Sequence, residues 1–249
     1  MTGSFYDEFA PYYHLIFENW DASIDRQAAV LSQLIRTEWG DNCKSVLDVS
    51  CGIGTQAIGL AQLGFKVSAS DISLEEVERA KNESKMRNVD IHFSVVDMRE
   101  VSNHYAQKFD ILISCDNSLP HLLNDCEIML ALSAFNQCLA PGGGCILTVR
   151  DYDAERQDGI QFKPHGVRKV DNKKYTLFQT WEFEEDLYKL SMYCICETDS
   201  GIETKVFKSK YYAISPNKIV TLMIEAGFKS VKIASCDYYQ PVIIGTKSV

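Results

Sequence analysis

The sequence predicts an α/β protein: a mostly parallel seven-stranded sheet with helices on both faces, an N-terminal cap helix and an antiparallel β insertion. Three observations carry this. Apolar runs of strand length alternate with stretches of helical period across residues 44–150, a glycine turn joins the first run to the first helix, and beyond residue 150 the period becomes that of alternating strands. The chain has 249 residues, 46% of them hydrophobic, which suffices for one core with a sizeable insertion or for two closely packed lobes.

Residues 1–43 read as a cap or lid, aromatic from Phe5 and then helical, with Ile24, Ala28, Leu31, Leu34 and Ile35 recurring at helical spacing. Ser45 to Val49 is expected as a buried strand and Thr55 to Leu63 as a helix stopped by Gly64. Phe65 to Ser70 forms a second strand ending at Asp71, and Ser73-Leu-Glu-Glu76 is a capping box opening a helix that runs to Asn88. Ile91 to Val96 is a third strand ending at Asp97, Phe109 to Ser114 a fourth, and Asp125 to Leu139 a helix; Pro141-Gly-Gly-Gly144 then turns into the strand Cys145 to Val149. This alternation implies right-handed crossovers and a Rossmann-like core over residues 44–150, with the ligand site at the carboxyl ends of the strands. Residues 151–212 read as an insertion of three antiparallel strands (174–183, 187–194 and 203–212) lying over the site. Residues 213–249 complete the core, with a helix from Ser215-Pro216 to Ala226-Gly227 and strands at 230–235 and 242–246.

A net charge of −9 leaves no basic surface for the counterion release that drives nucleic-acid binding, so a small-molecule partner is expected and nucleic acid is not. The N-terminus lacks the basic and apolar regions of a signal peptide, and no apolar run has membrane-spanning length; the expectation is a cytoplasmic protein without a membrane partner. The nine cysteines are scattered and read as reduced thiols, Cys194 and Cys196 pointing to opposite faces of a strand. No pair has zinc-ligand spacing, and no metal is expected. The sequence leaves a homo-oligomer open.

The chemistry begins at Val46-Leu-Asp-Val-Ser-Cys-Gly-Ile-Gly54. Gly52-x-Gly54-x-x-Ala57 satisfies a loose dinucleotide pattern. A carboxylate at the mouth of that strand, Asp48, would repel a pyrophosphate and favour a cationic ligand. S-adenosyl-L-methionine, with a sulfonium and an ammonium group, is the common nucleoside cofactor whose reactive half is positive. Asp71 and Asp97 close the next two strands; acids also follow strands simply as turn formers.

Together these segments resemble a class I S-adenosylmethionine-dependent methyltransferase, and most closely in motif the glycine/sarcosine N-methyltransferase-like group. The resemblance implies that the backbone around Ser50, Cys51, Gly52 and Gly54, next to Asp48, contacts the methionine half. Asp71, with Ile72 beside it, would accept from the ribose hydroxyls; Asp97 would accept from the adenine amine while Met98 covers the ring. Ser114-Cys-Asp-Asn-Ser-Leu-Pro-His-Leu122 resembles the acceptor-side Asn-Ser-x-x-His-Leu pattern, so Asn117 would orient the acceptor and the Cys115 backbone would meet the methionine ammonium. The alternative is a helix entry capped by Asn117 or Ser118 with Pro120 in its first turn. Arg150, in Val149-Arg-Asp-Tyr-Asp153, resembles an arginine that clamps an acceptor carboxylate; it also has Asp151, Asp153 and Glu155 as structural partners to hand.

At the N-terminus, Tyr6, Tyr13 and Trp20 resemble aromatics that screen the sulfonium, and Arg26 one that neutralises the methionine carboxylate; an aromatic staple for the cap helix is the alternative. The implied reaction is an in-line displacement onto a small acceptor, an amine or amino acid nitrogen, with Asp116, His121 and Tyr13 as candidate bases. Asp116 stands where the glycine enzymes have glycine, and Leu119-Pro120 also departs from them, which points to a different or more cationic substrate. An O- or S-methyltransferase, a nicotinamide oxidoreductase using Gly52, Gly54 and Asp71, and a non-catalytic nucleoside-binding protein are the competing functions.

Overall fold

A computed structural model describes residues 2–155 and 159–249. Helix α1 (Thr2–Phe9) leads through a 3-10 turn at Tyr13–Ile16 into α2 (Trp20–Trp39), which starts where the Asn19 side chain accepts from the Ala22 N–H. There follow β1 (Ser45–Asp48), α3 (Thr55–Gln62), β2 (Lys66–Asp71), α4 (Leu74–Met86), β3 (Ile91–Val95), the short α5 (Val101–His104), β4 (Phe109–Ser114), α6 (Asp125–Cys138) and β5 (Leu139–Thr148). Four long strands come next, β6 (Ile160–Val170), β7 (Lys173–Glu184), β8 (Leu187–Thr198) and β9 (Gly201–Tyr212), and then α7 (Pro216–Glu225), β10 (Phe228–Ala234) and β11 (Val242–Lys247).

The seven-stranded sheet has the order β10-β11-β5-β4-β1-β2-β3. Strands β1 to β5 run parallel, while β11 pairs antiparallel with both β5 and β10. Its central strands are buried on both faces, so they read as continuous apolar runs. Val46, Ile111, Ile113 and Ile146 pack under α2 and α3, and Leu47, Leu112 and Leu147 pack under α6 and α7. The order reverses at β1, between β4 and β2, which opens a crevice at the carboxyl ends of those strands.

The second sheet, β6-β7-β8-β9, is a purely antiparallel meander. It has four strands, one more than the sequence predicts. Its extra strand, β6, carries Pro164 and a bulge at Gly166, whose φ is +101°, and both features mask the strand signal. Strand β5 begins at Leu139, so the expected glycine turn is part of an irregular strand entry. A side chain at Gly144 would lie 2.3 Å from the Trp39 ring, so the glycine lets α2 lie directly on β5. The N-terminal segment is more than a lid: Phe5, Phe9 and Leu15 share one apolar cluster with Leu177, Trp181, Tyr188, Phe207 and Tyr211 of the meander.

Candidate active site

The crevice becomes a cavity because the chain after β1 turns sharply. Gly52 and Gly54 both adopt left-handed backbone (φ +52° and +97°), and Gly54 then starts α3. The Gly52 N–H donates to Asp71 Oδ2 at 2.9 Å, which ties the turn to the end of β2. The resulting wall is formed by Ser50, Cys51, Gly52, Ile53, Thr55 and Gln56, and it continues through Asp71, Ile72 and Glu76 to Asp97, Met98 and Arg99. Tyr6 and Tyr13 close it from the N-terminal segment, and Asp116, Ser118 and His121 from the loop after β4.

The lining is strongly acidic. Among the described residues it contains five carboxyl groups, Asp71, Glu76, Asp97, Asp116 and Glu127, and one guanidinium, Arg99. That guanidinium is already engaged: it grips Asp97 through two nitrogens at 3.0 and 2.6 Å and reaches Glu127 at 3.2 Å. Burial works to raise the Asp97 carboxyl, but the Arg99 hydrogen bonds outweigh it and hold the group below its usual range. Asp71 is raised by burial despite accepting from the Ser73 and Gly52 N–H groups. Glu76 is raised well above its usual value by burial and then by Asp71. The sequence reading gave Glu76 only a capping role. Its approach to the cavity depends on side-chain direction, which the motif does not encode.

Asp48 lies behind this wall. It is fully buried, Oδ1 accepts from the Ser50 N–H at 3.2 Å, and Oδ2 has no partner. Burial pushes its carboxyl up to about 8, so at neutral pH the group is uncharged. The expectation of a carboxylate attracting a cation at the strand mouth therefore passes to the lining acids, because Asp48 sits one step too deep in the sheet.

At the other end, Asp116 and Asn117 are consecutive left-handed residues, φ +57° and +65°. Their N–H groups donate to Thr148 Oγ1 and to the Thr148 carbonyl, which fixes the loop on β5. This turn points the two side chains apart. Asp116 faces the cavity, where Tyr239 donates to its Oδ1, and burial pushes its carboxyl up to about 6. Asn117 faces the core: its Nδ2 donates to Tyr152 Oη at 2.8 Å and its Oδ1 accepts from the Arg150 N–H at 3.0 Å. His121 Nε2 and Tyr6 Oη are hydrogen-bonded at 2.7 Å, and burial pushes the imidazole down to about 3. Burial also raises the Tyr13 hydroxyl well above its usual value.

Several expected residues stand outside the lining. Cys115 is buried beneath the loop, and Gly54 supports the turn from behind. Trp20 donates to Thr55 Oγ1 at 2.9 Å and stacks its ring against Arg87 and Arg79, 4.9 and 5.6 Å from its centroid. Arg26 is exposed, 3.4 Å from Ser23 Oγ on its own helix. The Arg150 guanidinium lies 4.5 Å over the Trp181 ring. Conversely, the sequence gave no sign of Gln56 or of the Tyr238-Tyr239 pair, because these come together only when the loop before β11 folds onto α3.

Residues 46–143 match a family model described as a methyltransferase domain. Over those residues the chain carries a methyltransferase domain. A glycine/sarcosine N-methyltransferase of Aphanothece halophytica is 30% identical to it over 149 residues, covering 59% of this chain and 56% of the relative. The chain spans about half the length of the curated relatives it matches. By structure, the chain is similar to an amino pentose methyltransferase from Micromonospora echinaspora (TM-score 0.79, 16% identity, 96% of each chain). It is also similar to a sugar N-methyltransferase from Streptoalloteichus sp. (TM-score 0.75, 14% identity, 93% of this chain and 89% of the other).

The cavity fits S-adenosylmethionine on its own geometry. The turn at Gly52 admits close backbone approach, Asp71 presents a carboxyl at the end of β2, and Asp97 and Met98 stand together at the next strand end. The acid surplus suits a ligand whose reactive half is cationic.

Proposed function

We propose that this protein methylates the nitrogen of a small-molecule amine, with S-adenosylmethionine as donor and Asp116 as the residue that anchors the amine and takes its proton. One observation carries this reading: a carboxyl whose proton comes off near pH 6 stands in an acid-lined cavity, at the end away from Asp71 and Asp97. An amine is a cation in water, so an acidic lining favours its entry, and Asp116 is a base at neutral pH. The other candidate bases fit less well. His121 binds a proton too weakly and is engaged with Tyr6, and the Tyr13 hydroxyl is too reluctant to ionise.

Bound S-adenosylmethionine supplies a methyl group on a sulfonium leaving group. The chain's own residues bind, orient and exclude water: Tyr6 and Tyr13 cover the cavity, the Gly52 turn and Asp71 hold the donor, and Asp116 orients the nitrogen lone pair by removing its proton. The similarity to methyltransferases named for amino pentose and sugar nitrogen acceptors supports an amine without a required carboxylate.

A second reading, an amino acid acceptor, is favoured by Arg150. Its guanidinium lies 4.5 Å over the Trp181 ring, and the nearby Tyr188, Tyr152, Tyr211 and Glu155 favour its charged form. Methyl transfer from labelled S-adenosylmethionine to pooled amines, amino acids, phenols and thiols, read by mass spectrometry, tests both. Turnover of carboxylate-free amines supports the first, turnover confined to amino acids the second, and turnover of phenols or thiols alone defeats both.

A further inference from the structure

Glu76 is a buried acid with an empty hydrogen-bonding position. The residue is 1% exposed, it lines the cavity, and its Oε1 has no hydrogen-bond partner. Three residues after the helix cap Ser73, its side chain is placed to turn back onto the Ser73 N–H, as in a capping box. That N–H instead donates to Asp71 Oδ1 at 3.0 Å, and Glu76 turns toward the glycine loop, with Oε2 3.4 Å from where a Cβ on Gly52 would sit. A buried carboxyl oxygen without a partner costs free energy in the unliganded protein, a cost that a ligand hydrogen bond would remove.

Asp71 stands beside it on the same stretch of wall, with both oxygens already accepting a backbone N–H, from Gly52 at 2.9 Å and from Ser73 at 3.0 Å. We propose that Glu76 is a specificity-determining residue that hydrogen-bonds the ribose edge of the nucleoside cofactor together with Asp71. This rests on the proposed function. A ribose presents two adjacent hydroxyls, each a donor and an acceptor, and two carboxyls offer each hydroxyl its own partner. Burial and then the Asp71 charge raise the Glu76 carboxyl and favour its protonated form, which donates as well as accepts and spares the wall a second like charge. A leucine at this position would fill the space but leave a buried hydroxyl unpaired.

Calorimetric titration tests this with four ligands: S-adenosylhomocysteine, 5′-methylthioadenosine, which keeps the ribose but lacks the ammonium and carboxylate, and the 2′- and 3′-deoxy forms of the latter. Glu76→Leu is expected to weaken both ribose ligands by about 10–100-fold, with Glu76→Gln losing much less. Deleting one hydroxyl from the ligand should cost the wild type a comparable factor and cost Glu76→Leu little. The unliganded Glu76→Leu protein should melt no lower than wild type, which separates lost recognition from lost folding. Unchanged affinity in Glu76→Leu overturns the proposal. So does a loss confined to S-adenosylhomocysteine, which would give Glu76 to the ammonium, or an equal loss for normal and deoxy ligands. A wild type that binds none of the ligands defeats the proposed function as well, whereas wild-type binding that is insensitive to Glu76 defeats this inference alone.

Discussion

Single carboxyl groups set the chemistry of this site, and their protonation states follow from depth. Asp116, half-buried with its proton leaving near pH 6, is ionised at neutral pH, so kcat/KM should fall as pH drops through that value. Replacing it by asparagine should lower kcat/KM by about 10²–10⁴ and erase the acid limb, as read by labelled methyl transfer from pH 5 to 9. Asp48 should show the opposite sense in stability. Its folded pKa is raised to about 8, so between about pH 4 and pH 8 the unfolded chain has released the proton that the folded chain still holds. Stability from this residue is then lost as pH rises, at up to about 1.4 kcal/mol per pH unit. Urea midpoints of Asp48→Asn and wild type should coincide near pH 4 and diverge by pH 8, with the variant the more stable. The sequence singled out Asp48, Asp71 and Asp97 at the ends of the first three strands and Asp116 in the loop after β4. It did not announce that Asp48 is neutral or that Glu76 joins the wall, because depth and side-chain direction are tertiary properties.

Elements position these groups through close contacts at small residues. Gly59 of α3 is an example: a Cβ there would lie 2.6 Å from the Ala28 Cβ and 2.9 Å from the Ile24 carbonyl of α2. Alanine is ordinarily the better helix former, yet Gly59→Ala should destabilise by about 1–3 kcal/mol, because backbone cannot move aside. A thermal melt that rises instead would refute the contact. The same scale explains which elements were legible. Strands β1 to β4 and helices α3, α4, α6 and α7 carry a plain period with caps at Ser73 and Ser215. Strand β6 was hidden by Pro164 and the Gly166 bulge, and the Asp116-Asn117 turn by a left-handed backbone that the Asn-Ser-x-x-His-Leu pattern does not reveal. Asn117 holds Arg150 and Tyr152 in place instead of facing the cavity, so the pattern marked an important residue but not its direction.

Across the whole molecule, the cap and the meander share one apolar layer, distinct from the layers on the mostly parallel seven-stranded sheet. Phe9 is 1% exposed and stacks near Phe207 and Tyr13, 5.1 and 5.7 Å between ring centroids. Phe9→Ala should therefore cost about 3–5 kcal/mol within that layer and speed hydrogen exchange in β9 while leaving β1 and β4 protected. Uniform exchange across both sheets would contradict the division. S-adenosylhomocysteine at 100 times its dissociation constant should stabilise the protein by about 2.7 kcal/mol, visible as a higher melting temperature.

Helix α1 is latched to both ends of the cavity. Asp7 Oδ1 accepts from Ser73 Oγ at 2.6 Å beside Asp71, while Tyr6, its neighbour in sequence, bonds His121 beside Asp116. One short helix is thus a crossbeam between the two ends of the cavity. A displacement of α1 would therefore strain the Ser73 and His121 contacts together, so the two ends of the cavity share one support.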